Sequence, residues 1–127
     1  MRQLITALLI IVGVIHLLPV TGLLGRQQLA ELYGLAVDEP NLEILMRHRA
    51  ALFGALGLFL IVAAFTPALQ LHAFTAGLLS VGSFLWLAWS VGGYNPQIRR
   101  VVVADLVALL CLIVAVAIYF LVHRRAS

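Results

Sequence analysis

Four long apolar runs, Leu4 to Leu24, Ala50 to Phe65, Leu71 to Val91 and Val101 to Val122, fill most of this 127-residue chain and are separated by polar breaks. Each run is at or close to the ~20 residues a helix needs to cross a bilayer, and in lipid an isolated segment can satisfy its backbone hydrogen bonds only as a helix. With 64% apolar residues, 10% charged residues and a mean hydropathy of +1.12, too little polar surface remains to solvate a soluble domain of this length. The predicted fold is therefore all-α. It is one integral membrane domain over residues 1–127, with spans at about 4–24, 47–66, 71–92 and 101–122 and one longer loop between the first two. The first run, about 21 residues, exceeds the ~7–15 of a signal-peptide core, and no small-x-small pattern follows promptly after Leu24, so it reads as a retained span.

The links after spans two and three are short (Thr66 to Gln70, Gly92 to Gln97), which forces neighbouring helices to be antiparallel and gives an up-down-up-down four-helix bundle. Both termini and the 66–70 turn then share one face, A, while the loop from Gly25 to Met46 and the Arg99-Arg100 link lie on the other, B. Within that long loop, apolar residues at 29, 32, 33 and 36 follow helical spacing, which predicts a short interfacial helix acting as a lid or simply covering the bundle end. Asn41 is the expected cap of the helix that enters span two. Pro19 removes a donor and crowds the preceding turn, so the first helix should bend near His16 or end there.

All eight basic residues are arginines placed beside helix ends, a pattern that suits anchoring at lipid headgroups and points away from nucleic acid. Three fall on face A (Arg2, Arg124, Arg125) and five on B (Arg26, Arg47, Arg49, Arg99, Arg100), and the positive-inside rule then places B in the cytoplasm. The five acids, Glu31, Asp38, Glu39, Glu43 and Asp105, are all on or near B. The expected setting is multi-pass in a bacterial inner membrane.

A rise of ~1.5 Å per residue converts position into depth. His16 lies eight residues before Leu24, Trp86 six before Gly92, and Asp105 four into span four, which gives depths of roughly 12, 9 and 6 Å below face B. Arg49 sits close to the mouth. Four helices would thus each direct one group to a shared level, with Glu43, Tyr94, His48, Asn95 and Trp89 at the rim. A carboxylate at depth needs a partner, and the planar fork of Arg49 is the first candidate for Asp105. His16 can donate, accept or carry a proton. Small residues form the expected seams: Ala50, Gly54 and Gly57 in span two; Ala76, Ser80, Ser83 and Ser90 with Leu87 in span three; Asp105, Ala108, Leu112, Ala115 and Tyr119 in span four.

Bis-histidine haem is not expected, because His72 opens span three on face A while His16 and His48 lie towards B. The scattered histidines and the lone Cys111 show no metal-ligand spacing, so neither a metal nor another cofactor is expected. The run Glu43-Ile44-Leu45-Met46-Arg47-His48-Arg49-Ala50-Ala51-Leu52-Phe53-Gly54, with the four spans and long first loop, resembles the DoxX-like superfamily of small four-helix membrane proteins. That resemblance implies an association with redox and lipophile chemistry. Two functions remain open. One is a face-B pocket for a lipophilic small molecule of quinone, isoprenoid or sterol-like type, held by His16, Arg49, Asp105, Trp86 and Trp89. The other is a non-catalytic accessory subunit whose polar cluster locks the bundle while small-residue faces bind a membrane partner or a second copy. The sequence names no reaction.

Overall fold

The computed structural model describes residues 1–126, with side chains to Arg124; the side chain of Arg125, counted above on face A, lies outside the described part. The chain runs as α1 (Arg2–Leu17), a 3-10 helix (Leu18–Leu24), α2 (Arg26–Tyr33), α3 (Pro40–Ala64), a 3-10 turn (Pro67–Leu69), α4 (Gln70–Val91) and α5 (Pro96–Ala126). Four helical stretches are long and apolar enough to cross a membrane: Arg2–Leu24, Pro40–Ala64, Pro67–Val91 and Pro96–Arg124. The protein is an all-α membrane bundle.

Each of the four prolines lies in the opening turn of a helical segment, where its missing N–H costs nothing. Pro19 does not kink α1. Instead the helix tightens at Leu18 into seven residues of 3-10 geometry, which has a longer rise of ~2.0 Å per residue and so sets His16 deeper than α-helical arithmetic gives. Pro40 decides the start of α3. The residue before a proline is driven to extended backbone, and Glu39 adopts φ −96°, ψ 128°. From there its carboxylate accepts the amides of Asn41 at 3.0 Å and Leu42 at 2.9 Å. The cap is Glu39 rather than the expected Asn41, which already lies inside the helix. Asn95 plays the same part ahead of Pro96, its side chain accepting the Ile98 amide at 2.8 Å.

The four spans close a ring in which α1 packs on α3 and α5, and α4 on α5 and α3. The core inside it includes Leu9, Val12, Leu60, Val81 and Leu112, all without exposed surface. Helices α1 and α3 approach most closely at Gly13 and Gly57, where a Cβ on Gly57 would stand 2.8 Å from the Gly13 carbonyl oxygen. The predicted seam of α5 is seen, with Ala108, Leu112, Ala115 and Tyr119 buried. The seam of α4 is different. Its buried side is Ala73, Phe74, Gly77 and Val81, while Ser83, Leu87 and Ser90 are exposed. The hydroxyls of Ser83 and Ser90 turn back onto the carbonyls of Ser80 and Trp86, at 3.1 and 2.7 Å, so they need no partner helix.

The expected interfacial helix is α2. Leu29, Tyr33 and Val37 are buried and pack with Leu32, Met46, Ile98 and Val101 as a separate small core over the face-B end, whereas Ala36 is exposed. Two glycines make its sharp ends. Gly25 turns the chain out of the 3-10 helix at φ 155°, and Gly34 closes α2 at φ 67°, conformations that L side chains rarely adopt. The lid is tied down by Asn95, which donates to the Tyr33 carbonyl at 2.7 Å, and by the Arg26–Glu43 ion pair at 2.6 Å.

Candidate functional site

Helix starts place the central residues at one level. Arg49 and Asp105 each lie nine positions beyond the proline that opens α3 or α5, or ~14 Å along their helices. With His16 from α1 they line a cavity of about 280 Å³ beneath α2. Its walls come from α1 and the 3-10 helix (Ile15, Leu18, Pro19), from α2 (Glu31, Leu32, Tyr33), from α3 (Phe53) and from α5 (Gln97, Arg100, Val101, Ala104). Leu18, 61% exposed on the outer surface of the bundle, gives the cavity a lipid-facing edge, and Glu31 and Arg100 give it a headgroup-facing one.

His16 is 2% exposed and both ring nitrogens are engaged. Nδ1 lies 2.9 Å from the carbonyl oxygen of Val12, one turn back, and Nε2 lies 3.1 Å from Ser80 Oγ on α4. A carbonyl only accepts, so Nδ1 carries the proton. In the neutral ring Nε2 is then the acceptor and Ser80 donates to it. Proton exchange at Nε2 therefore passes through the Ser80 hydroxyl or displaces it. The carbonyl that His16 meets is that of Val12, not one freed by Pro19.

Arg49 does not pair with Asp105. Among the described residues the two ion pairs within 4.0 Å are Arg26–Glu43 and Arg47–Glu43. The guanidinium of Arg49 instead donates to the Tyr33 hydroxyl. Its Cζ stands 4.4 Å from the centre of the Phe53 ring, 5.2 Å from Tyr33 and 5.7 Å from Phe84, a set of aromatic faces that holds a cation in place of a carboxylate. Phe53 also lies against His16, with ring centres 5.7 Å apart. The carboxylate of Asp105 makes no ion pair or hydrogen bond with another side chain among the described residues, yet no fully buried polar side-chain atom is left without a partner, so the carboxylate is accessible from the cavity.

The remaining sequence candidates lie elsewhere. Trp86 and Trp89 are 62% and 82% exposed on the outside of α4. With Tyr94 they border a shallow groove against Val102, Leu106 and Leu109 of α5 rather than the His16 cavity, a position suited to an aromatic belt at the membrane interface. Glu43 serves the lid through Arg26, His48 is exposed, and Asn95 ties α2 to α5. Sequence reasoning missed Tyr33 and Phe53 as cavity walls. The signals were present: Phe53 is one helical turn beyond Arg49, and Tyr33 is on the apolar side of the predicted lid. Among the described residues no group of three or more His, Cys, Asp or Glu is arranged to hold a metal ion.

A cavity with an acceptor carboxylate, a pre-positioned guanidinium and apolar walls can orient a polar head while leaving an apolar body to the lipid side. Comparison of the chain with protein-family models, with curated proteins and with solved structures finds no match.

Proposed function

We propose that the protein binds the polar head of a lipophilic small molecule, of quinone, isoprenoid or sterol-like type, in the face-B cavity. The observation that carries this reading is that Arg49 and Asp105 reach the same cavity without closing to an ion pair. A pair that merely locked the bundle would close to contact, because an unpaired charge at this depth costs several kcal/mol. Here Asp105 is the acceptor for a hydroxyl or amine, Arg49 the donor to a carbonyl or anion, and Phe53 and Tyr33 the flanking rings. At about 280 Å³ the cavity falls just below the ~300–1,000 Å³ of sites that enclose a whole ligand, so it takes a head group and not a whole lipophile. The body would leave past Leu18 into the bilayer. The proposed DoxX-like kinship rests on the four spans, the long first loop and the run Glu43 to Gly54, and that run supplies Arg49 and Phe53 to the cavity.

The test is mass spectrometry of small molecules extracted from the detergent-purified protein, wild type against Asp105→Asn, with thermal melting to establish that both are folded. The expected result is a defined lipophile in the wild type that drops at least about tenfold in the variant, the loss of one charge-assisted hydrogen bond of ~1.5–3 kcal/mol. Bulk phospholipid alone in both samples would overturn the reading in favour of an accessory subunit, and a search for a protein partner would follow.

A further inference from the structure

At the opposite end of the bundle a second cavity, of about 300 Å³, is bounded by all four spanning stretches: Arg2 and Thr6 of α1, Ala64 of α3, Gln70 of α4, and Tyr119 and His123 of α5. None of the chain's five acidic residues lines it. Two of its polar groups are already committed to the wall. The Thr6 hydroxyl lies 2.9 Å from the Ala64 carbonyl oxygen, and Gln70 Nε2 donates to the Ala63 carbonyl at 3.3 Å. Both fasten neighbouring helices to the end of α3.

The two basic groups each keep nitrogen atoms that the wall does not use. Among the described residues Arg2 enters no ion pair, and its guanidinium makes no hydrogen bond. His123 is stacked on Tyr119 at 4.0 Å and 27°, with Nδ1 donating to the Tyr119 carbonyl at 2.9 Å. That bond fixes the ring and leaves Nε2 open. A concave space with a free guanidinium fork, an oriented imidazole and no carboxylate among the described residues of its walls favours an anion, and the fork matches a phosphate best. Ile5, Phe65 and Val122 supply apolar wall beside these groups.

We infer that the face-A cavity binds a phosphate group, with Arg2 as its bidentate donor and His123, as the imidazolium whose Nε2–H donates, as its second contact. The inference is independent of the face-B reading. Phosphate can come from an anionic phospholipid or from the free ion, and one experiment separates them. The full chain in mild detergent is examined by native mass spectrometry with phosphatidylglycerol or phosphatidylcholine of the same acyl chains, with and without millimolar inorganic phosphate.

Wild type should retain phosphatidylglycerol over phosphatidylcholine. Arg2→Gln and His123→Gln should each lower that retention about fivefold, the effect expected of one basic group near an anionic headgroup. Arg99→Gln, an exposed change on face B, should leave it unaltered. Displacement by inorganic phosphate would support the free ion as ligand, and retention in its presence would support the lipid. Equal binding of the two lipids, undiminished binding in Arg2→Gln, or an equal loss in Arg99→Gln would overturn the inference.

Discussion

A buried imidazole tests how single residues are satisfied in this bundle. With Nδ1–H committed to Val12, the Nε2 lone pair of His16 depends on Ser80, and removing that hydroxyl leaves a buried acceptor bare. Ser80→Ala should therefore destabilise the protein by ~1–3 kcal/mol. Ser83→Ala, whose hydroxyl is exposed and bonded within its own helix, should change stability by no more than ~0.5 kcal/mol. Denaturation midpoints in mixed detergent micelles check both, and equal effects would mean that Ser80 does not serve His16. That His16, Arg49 and Asp105 lie towards one end of the bundle was legible in the sequence because residue count largely sets depth, although the 3-10 stretch puts His16 deeper than that count gives. Their partners were not. Ser80 looked like one member of a serine stripe, and nothing in a linear pattern distinguishes the serine that crosses the seam from those that bond backwards. The expected Arg49–Asp105 pair failed for a related reason: Phe53, Tyr33 and Phe84 offer Arg49 aromatic faces that become visible only once three helices are in place.

At the scale of helices, rotation about the axis was the quantity that composition hid. In a soluble helix the polar face marks the outside, but here lipid and core are both apolar, so Trp86 and Trp89 had a depth and no direction. Small residues marked a packing face on span two, since close approach of two backbones demands them, but that α1 meets it at Gly13 was not legible. Gly57→Ala should cost ~1–3 kcal/mol, because the new Cβ meets the Gly13 carbonyl and Leu17 Cγ at 2.8 and 2.9 Å and backbone must move. Gly82→Ala, with nothing within 4 Å, should be neutral or stabilise by up to ~1 kcal/mol through its better helix propensity. The same denaturation midpoints decide between them. The start of α3 gives a pH test. The amides of Asn41 and Leu42 hold the Glu39 carboxyl below its ordinary value of 4.5. A depressed folded value means that the cap's contribution is present above that ordinary value and is lost as pH falls through the lower, folded one. Thermal melting from pH 6 down to pH 3 should show that acid-side loss in the wild type and a shallower one in Glu39→Gln. Identical profiles would mean that the cap does not contribute.

The whole molecule has two chemically unlike ends, and this asymmetry makes its orientation testable. Face B carries the lid, all five acidic side chains in or near it, and five of the eight arginines; the charge-bearing side chains of face A are arginine and histidine. Acids weigh little in setting topology, so the arginine excess should hold B in the cytoplasm. The single native cysteine, Cys111, lies within the α5 span, and changing it to alanine gives a background free of thiols. Into that background Gln3→Cys and Ala68→Cys place a thiol on face A, and Gln27→Cys and Arg99→Cys place one on face B, all at exposed positions. With a membrane-impermeant maleimide on intact cells, the first two should label at once and the last two only after permeabilisation. The reverse pattern would leave the antiparallel bundle standing while inverting it, and would turn the lidded cavity to the outside. Labelling of Gln27→Cys and Ala68→Cys from the same side is the outcome that the ring cannot accommodate, because α3 joins those two faces by crossing the bilayer once.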